Sequence, residues 1–217
     1  MTNNNELNPP QPIGNELGAS LESVGEEWRS WLVSGGIAVI LILSVILYRS
    51  HNASNEEKAS RMLGEARNGQ ALQSILSQYP GTSAAKLALL QMAKAQYDSG
   101  NFVAAQSSYM DFLSKYPNHP MAPMAEMGKI HCMEGLGSTE AALAAFSQFA
   151  TKNPDHFLRP LAIFGKARCL QEMKRYTEAR TTYEDFLAGN PKSPWVNDVN
   201  EALKQLDSEA RRPSIKM

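Results

Sequence analysis

The chain has 217 residues, a formal net charge of −1 and two cysteines. That length suffices for one ordinary domain or two small ones. Without a basic excess there is no electrostatic footprint for nucleic acid, so we expect no nucleic-acid partner. The two cysteines are too few for a disulfide scaffold and lack metal-ligand spacing, and no nucleotide-binding or nucleophile motif occurs. The sequence therefore predicts a protein that is not an enzyme and uses no cofactor or metal.

The first residues divide into an arm and a short helix. Residues 1–16 are rich in Asn and Pro, which predicts a disordered arm. Residues 17–30 predict an amphipathic helix, because apolar residues recur at the spacing of a helical seam. The seam consists of Leu17, Leu21, Val24, Trp28 and Trp31. This helix either pairs with a partner or extends the following segment along a membrane interface.

Residues 31–48 predict a single transmembrane helix. Eighteen residues from Trp31 to Tyr48 carry no charge, and as a helix they would rise roughly 27 Å, close to the thickness of a bilayer core. Trp31 and Tyr48 stand at the two ends, where aromatic rings prefer the headgroup level. A cleaved signal peptide fits poorly, because residues 1–30 carry a net charge of −4.

Beyond the anchor, a period of 37 residues runs through the sequence. Its most visible mark is a series of four prolines at this spacing: Pro80, Pro117, Pro154 and Pro191. Small residues at matched places allow two helices to approach closely, aromatics fill the gap to the next unit, and proline ends the second helix. The pattern predicts an all-α helical solenoid. The matched residues are Ala88, Ala125 and Ala162; Ala105, Ala142 and Ala179; Tyr109, Phe146 and Tyr183; and Phe112, Phe149 and Phe186.

The period also sets the predicted boundaries. Residues 81–191 form three repeats, residues 54–80 form a degenerate first repeat, residues 192–207 form a capping helix, and residues 208–217 form a disordered tail. Cys132 and Cys169 occupy equivalent places in the second and third repeats. We therefore interpret them as small core residues rather than redox groups.

The second helices resemble a known family. The segments "GNFVAAQSSYMDFLSKYP" and "KRYTEARTTYEDFLAGNP" are similar to second helices of tetratricopeptide repeats. The resemblance implies a right-handed solenoid of helix pairs over residues 81–191. The unit is longer than the usual one of that family, and the large aromatic of its first helix is replaced by Leu89, Glu126 and Ile163.

The organisation of the whole chain resembles two bacterial envelope families. The segments "EEWRSWLVSGG", "YRSHNASNEEKASRM" and "SAAKLALLQMAKAQ" are similar to the ancillary subunit family of the Sec translocon. This resemblance implies a membrane-tethered scaffold or chaperone-like factor at the periplasmic face of the inner membrane, with the translocon or periplasmic chaperones as partners. The repeat units also resemble the Tol–Pal division coordinator, which implies instead a structural organiser of the envelope.

The charges beside the anchor favour the opposite orientation. Arg29 precedes the apolar run, whereas Arg49, Lys58 and Arg61 follow it. The positive-inside rule would then place the repeats in the cytoplasm. Long domains translocate largely regardless of such charges, so we follow the family resemblance and expect a periplasmic repeat domain.

The repeat frame predicts a protein-binding groove on the inner wall of the solenoid. Two apolar rows beside a cationic row would suit an extended or helical peptide, with the cations meeting carboxylates. Alternatively, the apolar residues pack against neighbouring helices, and Lys94 and Arg168 pair with Asp98 and Glu134. The four rows are Leu87, Met124 and Leu161; Leu90, Met127 and Phe164; Lys94, His131 and Arg168; and Tyr97, Glu134 and Gln171.

Overall fold

A computed structural model describes the backbone of residues 14–210 and the side chains of residues 36–208. Nine helices and no strand occur in this part of the chain, so the predicted all-α class is confirmed. The helices are α1 (Gly14–Glu65), α2 (Gly69–Gln78), α3 (Ser83–Asp98), α4 (Phe102–Lys115), α5 (Ala122–Gly135), α6 (Thr139–Lys152), α7 (Arg159–Glu172), α8 (Tyr176–Gly189) and α9 (Val196–Ala210).

The chain divides into two compact units, Met1–Asn55 and Glu56–Met217. In the first unit α1 begins at Gly14, so three residues of the predicted disordered arm are helical, and residues 1–13 of that arm lie outside the described residues. The predicted segments 17–30 and 31–48 both fall within α1. Large apolar side chains from Ile37 to Leu47 are 52% to 70% exposed, and the segment from residue 36 onward is long and apolar enough to cross a membrane.

The second unit is a stack of antiparallel helix pairs. The pairs α3–α4, α5–α6 and α7–α8 form the three predicted repeats, and their second helices begin 37 residues apart at Phe102, Thr139 and Tyr176. Each pair turns through a residue with a positive φ angle: 78° at Gly100, 73° at Gly137 and 61° at Lys174. The position within the 37-residue period therefore determines this left-handed backbone conformation even in the third repeat, where Lys174 replaces glycine.

The core consists of the matched alanines and aromatics. Ala105, Ala142 and Ala179 are completely buried, as are the rings of Phe112 and Phe146. Because alanine keeps the two helices of a pair close, the rings of each second helix reach the following first helix. The predicted roles of the small and aromatic positions are confirmed.

Two glycines complete this packing and were not singled out from the sequence. Gly128 on α5 lies against the ring of Tyr109, and Gly165 on α7 lies against the ring of Phe146. A Cβ atom at either position would overlap the ring. The same 37-residue spacing relates the two glycines, so the sequence already contained the signal.

A hydrogen bond from a backbone N–H group to a side chain recurs at the start of the first helices and of α9. Nδ1 of His119 accepts a hydrogen bond from the Met121 backbone N–H at 3.1 Å, and Nδ1 of His156 accepts one from Leu158 N–H at 3.1 Å. Thr82 and Ser193 occupy the matching positions before α3 and α9. Their hydroxyl oxygens accept hydrogen bonds from the backbone N–H groups of Ala85 and Trp195. Each satisfies an N–H group that the helix leaves unpaired. These histidines therefore have a structural role.

Both ends of the stack are closed by the predicted elements. The last turns of α1 pair with α2, and Ala59, Leu72 and Ile75 are buried between them and α3. The Glu56 carboxylate accepts hydrogen bonds from the backbone N–H groups of Ser83 (2.8 Å) and Ala84 at the start of α3.

At the other end α9 covers the last repeat with Val199 and Leu206. This helix begins at Val196, four residues after the predicted start of the capping helix at residue 192, and extends through residues 208–210 of the predicted tail. Residues 211–217 lie outside the described part of the chain.

Candidate protein-binding surface

The first helices of successive repeats form one continuous wall. Helix α5 contacts both α3 and α7, so residues at matched positions on the three helices lie side by side. The first predicted row lies on this wall with one apolar side chain per repeat. Leu87 is 37% exposed, Met124 is 44% exposed, and Leu161 is half-buried. This row offers apolar surface that a partner can cover.

The second predicted row belongs mainly to the core, which corrects its assignment to the groove. Leu90 and Met127 are 8% and 5% exposed and lie within the hydrophobic clusters between helices. Phe164 is half-buried and meets the rings of Tyr183, Phe186 and Trp195, with centroid separations of 5.6 to 6.2 Å. These side chains pack against neighbouring helices, as the alternative interpretation expected.

The third row was predicted to be a series of basic side chains available to a partner protein. In the structure these side chains contact carboxylates of this chain instead. Lys94 donates to both carboxylate oxygens of Asp98, at 2.9 and 2.7 Å. Both side chains of this pair are more than half exposed, so it is a weak surface pair. A partner carboxylate could exchange with Asp98 at little cost.

The Glu134 carboxylate is the centre of a stronger cluster that links two repeats. Arg168 on α7 donates to it through both Nε and Nη2, the latter at 2.7 Å, and His131 Nδ1 lies 3.2 Å from it. Burial alone would raise the pKa of the Glu134 carboxyl. Hydrogen bonds from Arg168 and His131 outweigh burial and lower the pKa from 4.5 to about 2. The carboxylate is therefore ionised and holds the Arg168 guanidinium and the His131 ring in place.

The fourth row continues the cluster along the wall. Tyr97 is half-buried and meets the His131 ring edge-on at 6.5 Å, and the ring of Phe102 at 5.2 Å. Gln171 is half-buried on α7. Tyr97, His131, Glu134 and Arg168 thus form a connected polar strip across α3, α5 and α7. The structure brings the third and fourth rows together as a supporting strip beside the apolar first row.

The two cysteines lie behind the wall. Cys132 and Cys169 are completely buried and free, which confirms their interpretation as core residues. Burial raises the pKa of each thiol to about 11. At neutral pH they are protonated and inaccessible, so they lack the thiolate that redox chemistry requires.

Solved structures with a similar fold are repeat proteins. A tetratricopeptide repeat protein from Parabacteroides merdae ATCC 43184 superposes on 73% of this chain with a TM-score of 0.52 and 19% identity. This chain covers 62% of that protein, less than two thirds of its length. The repeats of a putative kinesin light chain from Podospora anserina match 75% of this chain and 94% of their own, with a TM-score of 0.50 and 16% identity.

The stacked helix pairs define the fold of a tetratricopeptide-type repeat protein. The sequence profile of the family described as YfiO, outer membrane lipoprotein, matches residues 50–211, well over half of the chain. The chain belongs to this family. A comparison with curated proteins finds no match.

Proposed function

We propose that the protein is a membrane-tethered scaffold or chaperone-like factor that binds segments of other proteins on the wall of first helices. The observation that carries the proposal is the row formed by Leu87, Met124 and Leu161. These side chains are aligned across three repeats and leave apolar surface uncovered. Burial of such a row by a partner releases water from apolar surface, which is the main driving force of protein association.

The chemistry of the wall favours apolar segments over acidic ones. Arg168 and His131 are held by Glu134, and Lys94 is held by Asp98. A partner carboxylate would have to displace a carboxylate already in place, so it gains little. Met124 adapts its unbranched side chain to varied shapes, which suits a surface with several clients. An extended or helical segment with one apolar side chain per repeat fits best.

The apolar segment of α1 is the proposed tether. Its large side chains are more than half exposed, which is costly in water and favourable in a bilayer. The family description refers to lipoproteins. In this chain both cysteines are buried in the repeat core, so neither is accessible for a lipid attached through sulfur. We therefore assign the tether to the helix.

We place the repeats at the periplasmic face of the inner membrane, with the Sec translocon or periplasmic chaperones as partners. The support for this location is the resemblance of the anchor and its flanks to the ancillary translocon family. The basic residues Arg49, Lys58 and Arg61 after the anchor favour the alternative of a scaffold facing the cytoplasm. A second candidate is an envelope organiser with one stoichiometric partner, supported by the resemblance to the Tol–Pal coordinator.

Site-specific photocrosslinking in cells tests the proposed wall. A photoreactive amino acid replaces Leu87 on α3, and the matched control replaces Val103, which is 66% exposed on α4. The proposal expects crosslinks to several unrelated polypeptides at position 87 and few at position 103. Equal crosslinking at both positions would contradict it, and one dominant partner at position 87 would favour the envelope organiser.

Protease accessibility tests the orientation independently. In spheroplasts with an intact inner membrane, the periplasmic proposal expects external protease to digest residues 56–217. Protection until detergent is added would place the repeats in the cytoplasm and would remove the translocon assignment.

A further inference from the structure

Cavities recur at equivalent places in three successive repeats. Each lies between the end of one second helix, the following proline and the next first helix. Their volumes are about 360, 620 and 330 Å³. The residues that repeat at their walls are Leu76, Leu113 and Ala150; Pro80, Pro117 and Pro154; and Leu89, Glu126 and Ile163.

The third cavity differs from the other two in charge. Two matched positions on the first helix of each repeat carry this difference. They are Ala85 and Met92 in the first cavity, and Ala122 and Lys129 in the second. In the third cavity they are Arg159 and Lys166, both on α7. Two cations therefore face a single carboxylate, that of Asp185, which lines the same cavity.

Neither Arg159 nor Lys166 forms an ion pair within 4 Å with a carboxylate in the described part of the chain. Arg159 Nε is buried and has no hydrogen-bond partner, the one such side-chain nitrogen or oxygen among the described residues. An unpaired buried donor is unfavourable because it has lost its hydrogen bonds to water. Lys166 forms no ion pair within 4 Å with a described carboxylate, although Asp185 lines the same cavity. The α7 face thus has donors without an acceptor.

The hydroxyl groups of the cavity provide acceptors. Ser147 donates to the Leu143 carbonyl at 2.9 Å, Thr151 to the Ser147 carbonyl at 2.9 Å, and Thr182 to the Glu178 carbonyl at 2.8 Å. Their protons are therefore directed at their own helices, and only their oxygen lone pairs face a ligand. A phosphate monoester is mostly doubly ionised at neutral pH and then has no proton to offer these oxygens. A peptide has both carboxylate oxygens and N–H groups.

The cavity continues into a groove. An adjoining cavity of about 360 Å³ shares Ser147, Lys166, Thr182 and Asp185, and reaches the ion pair of Arg175 with Glu178. The groove runs along α6, α7 and α8. An elongated shape with polar groups along its length suits an extended chain better than a small ion.

We propose that this groove binds an extended acidic peptide segment of a partner protein. A carboxylate of the segment accepts hydrogen bonds from Arg159 and Lys166, and its backbone N–H groups donate to the hydroxyl oxygens. The groove is a second site, separate from the wall that carries Leu87 and Met124. It requires an acidic segment, whereas the wall favours an apolar one.

The test is the affinity of the full chain, in neutral detergent, for a labelled peptide of alternating Asp and Leu. The matched probe replaces each Asp by Asn. We expect the Asp peptide to bind about tenfold more tightly than the Asn peptide, which corresponds to about 1.4 kcal/mol. The double variant Arg159→Gln/Lys166→Gln should lose this preference. The control Lys129→Gln, at the equivalent position of the second cavity, should keep it.

Three results would overturn the proposal. The first is equal affinity of wild-type protein for the two peptides, which is informative even if the double variant folds poorly. The second is the same loss in Lys129→Gln as in the double variant. The third is tighter binding of glycerol phosphate than of the Asp peptide, abolished in the double variant, which would assign the groove to a lipid headgroup.

Discussion

Glu134 on α5 and Arg168 on α7 form a two-pronged ion pair between successive repeats, with Arg168 Nη2 2.7 Å from Glu134 Oε2. Glu134 is only 12% exposed, so water screens this pair less than an ordinary surface pair. The pair joins two first helices of the wall and engages a cation for which the sequence left both ligand binding and this internal pairing open. It therefore determines both how the wall is held together and which partners it accepts.

The first prediction concerns the stability of the repeats in acid. The folded pKa of Glu134, about 2, lies below its ordinary value of 4.5. Its stabilising contribution is complete above pH 4.5 and is lost as the pH falls towards 2. A shift of this size corresponds to about 3 kcal/mol. Urea unfolding of the full chain should show that wild type loses about this much more stability between pH 5 and pH 2 than Glu134→Gln. Parallel pH profiles would refute the assigned role.

The second prediction concerns the glycine at the ring contact. Gly128→Ala should lower the free energy of unfolding by about 1–3 kcal/mol, because its methyl group overlaps the Tyr109 ring in a packed core. Gly64→Ala is the control, since a Cβ there meets nothing within 4 Å. It should raise the free energy of unfolding by about 0.5 kcal/mol. Thermal denaturation of both variants checks the contrast, and a neutral Gly128→Ala would show that the ring is free to move.

The third prediction concerns the turn in the third repeat. Lys174 has a φ angle of 61°, which costs a side-chain-bearing residue about 1 kcal/mol relative to glycine. Lys174→Gly should therefore raise the free energy of unfolding by up to that amount. Gly137→Lys, the reverse change one repeat earlier, should lower it by a similar amount. Chemical denaturation measures both, and changes of the same sign in the two variants would contradict the argument.

The fourth prediction concerns the histidine that caps α5. His119→Ala removes the acceptor for the Met121 N–H, whereas His119→Thr introduces the residue that at position 82 accepts a hydrogen bond from the backbone N–H three residues on. Both variants lose the contact of the histidine ring with Phe112, so their difference reports the cap alone. The threonine variant should be more stable by about 1 kcal/mol. Equal melting temperatures would show that the cap contributes nothing.

The sequence predicted the repeat architecture well because the period is recorded in residues whose roles are local. Prolines end helices, alanines allow close approach, and aromatics fill the space between repeats, so the 37-residue spacing specified the helix pairs. Even the positive φ angle of Lys174 follows from its alignment with Gly100 and Gly137. The same alignment contained Gly128 and Gly165, whose role became clear only when the rings of the preceding helices were in place.

The wall was harder to predict because exposure depends on contacts between helices. Position within the repeat correctly placed Leu87 and Met124 at the surface, but it could not show that Leu90 and Met127 are covered by neighbouring helices. It also could not show whether a basic side chain pairs with a carboxylate of this chain or remains available to a bound peptide. The pairs of Lys94 with Asp98 and Arg168 with Glu134 are those of the alternative interpretation. The first pair lies within α3, whereas the second depends on the distance between two repeats.

The most direct test of the central claim is the affinity of the purified full chain for a permanently unfolded polypeptide. The variant Met124→Asp places a charge in the apolar row, and Met110→Asp is its control, because Met110 is 54% exposed on α4 and Met124 is 44% exposed on α5. If the wall of first helices binds client proteins, Met124→Asp weakens binding about tenfold and Met110→Asp leaves it unchanged. Equal affinities of both variants and wild type, or no binding by wild type, would contradict the account.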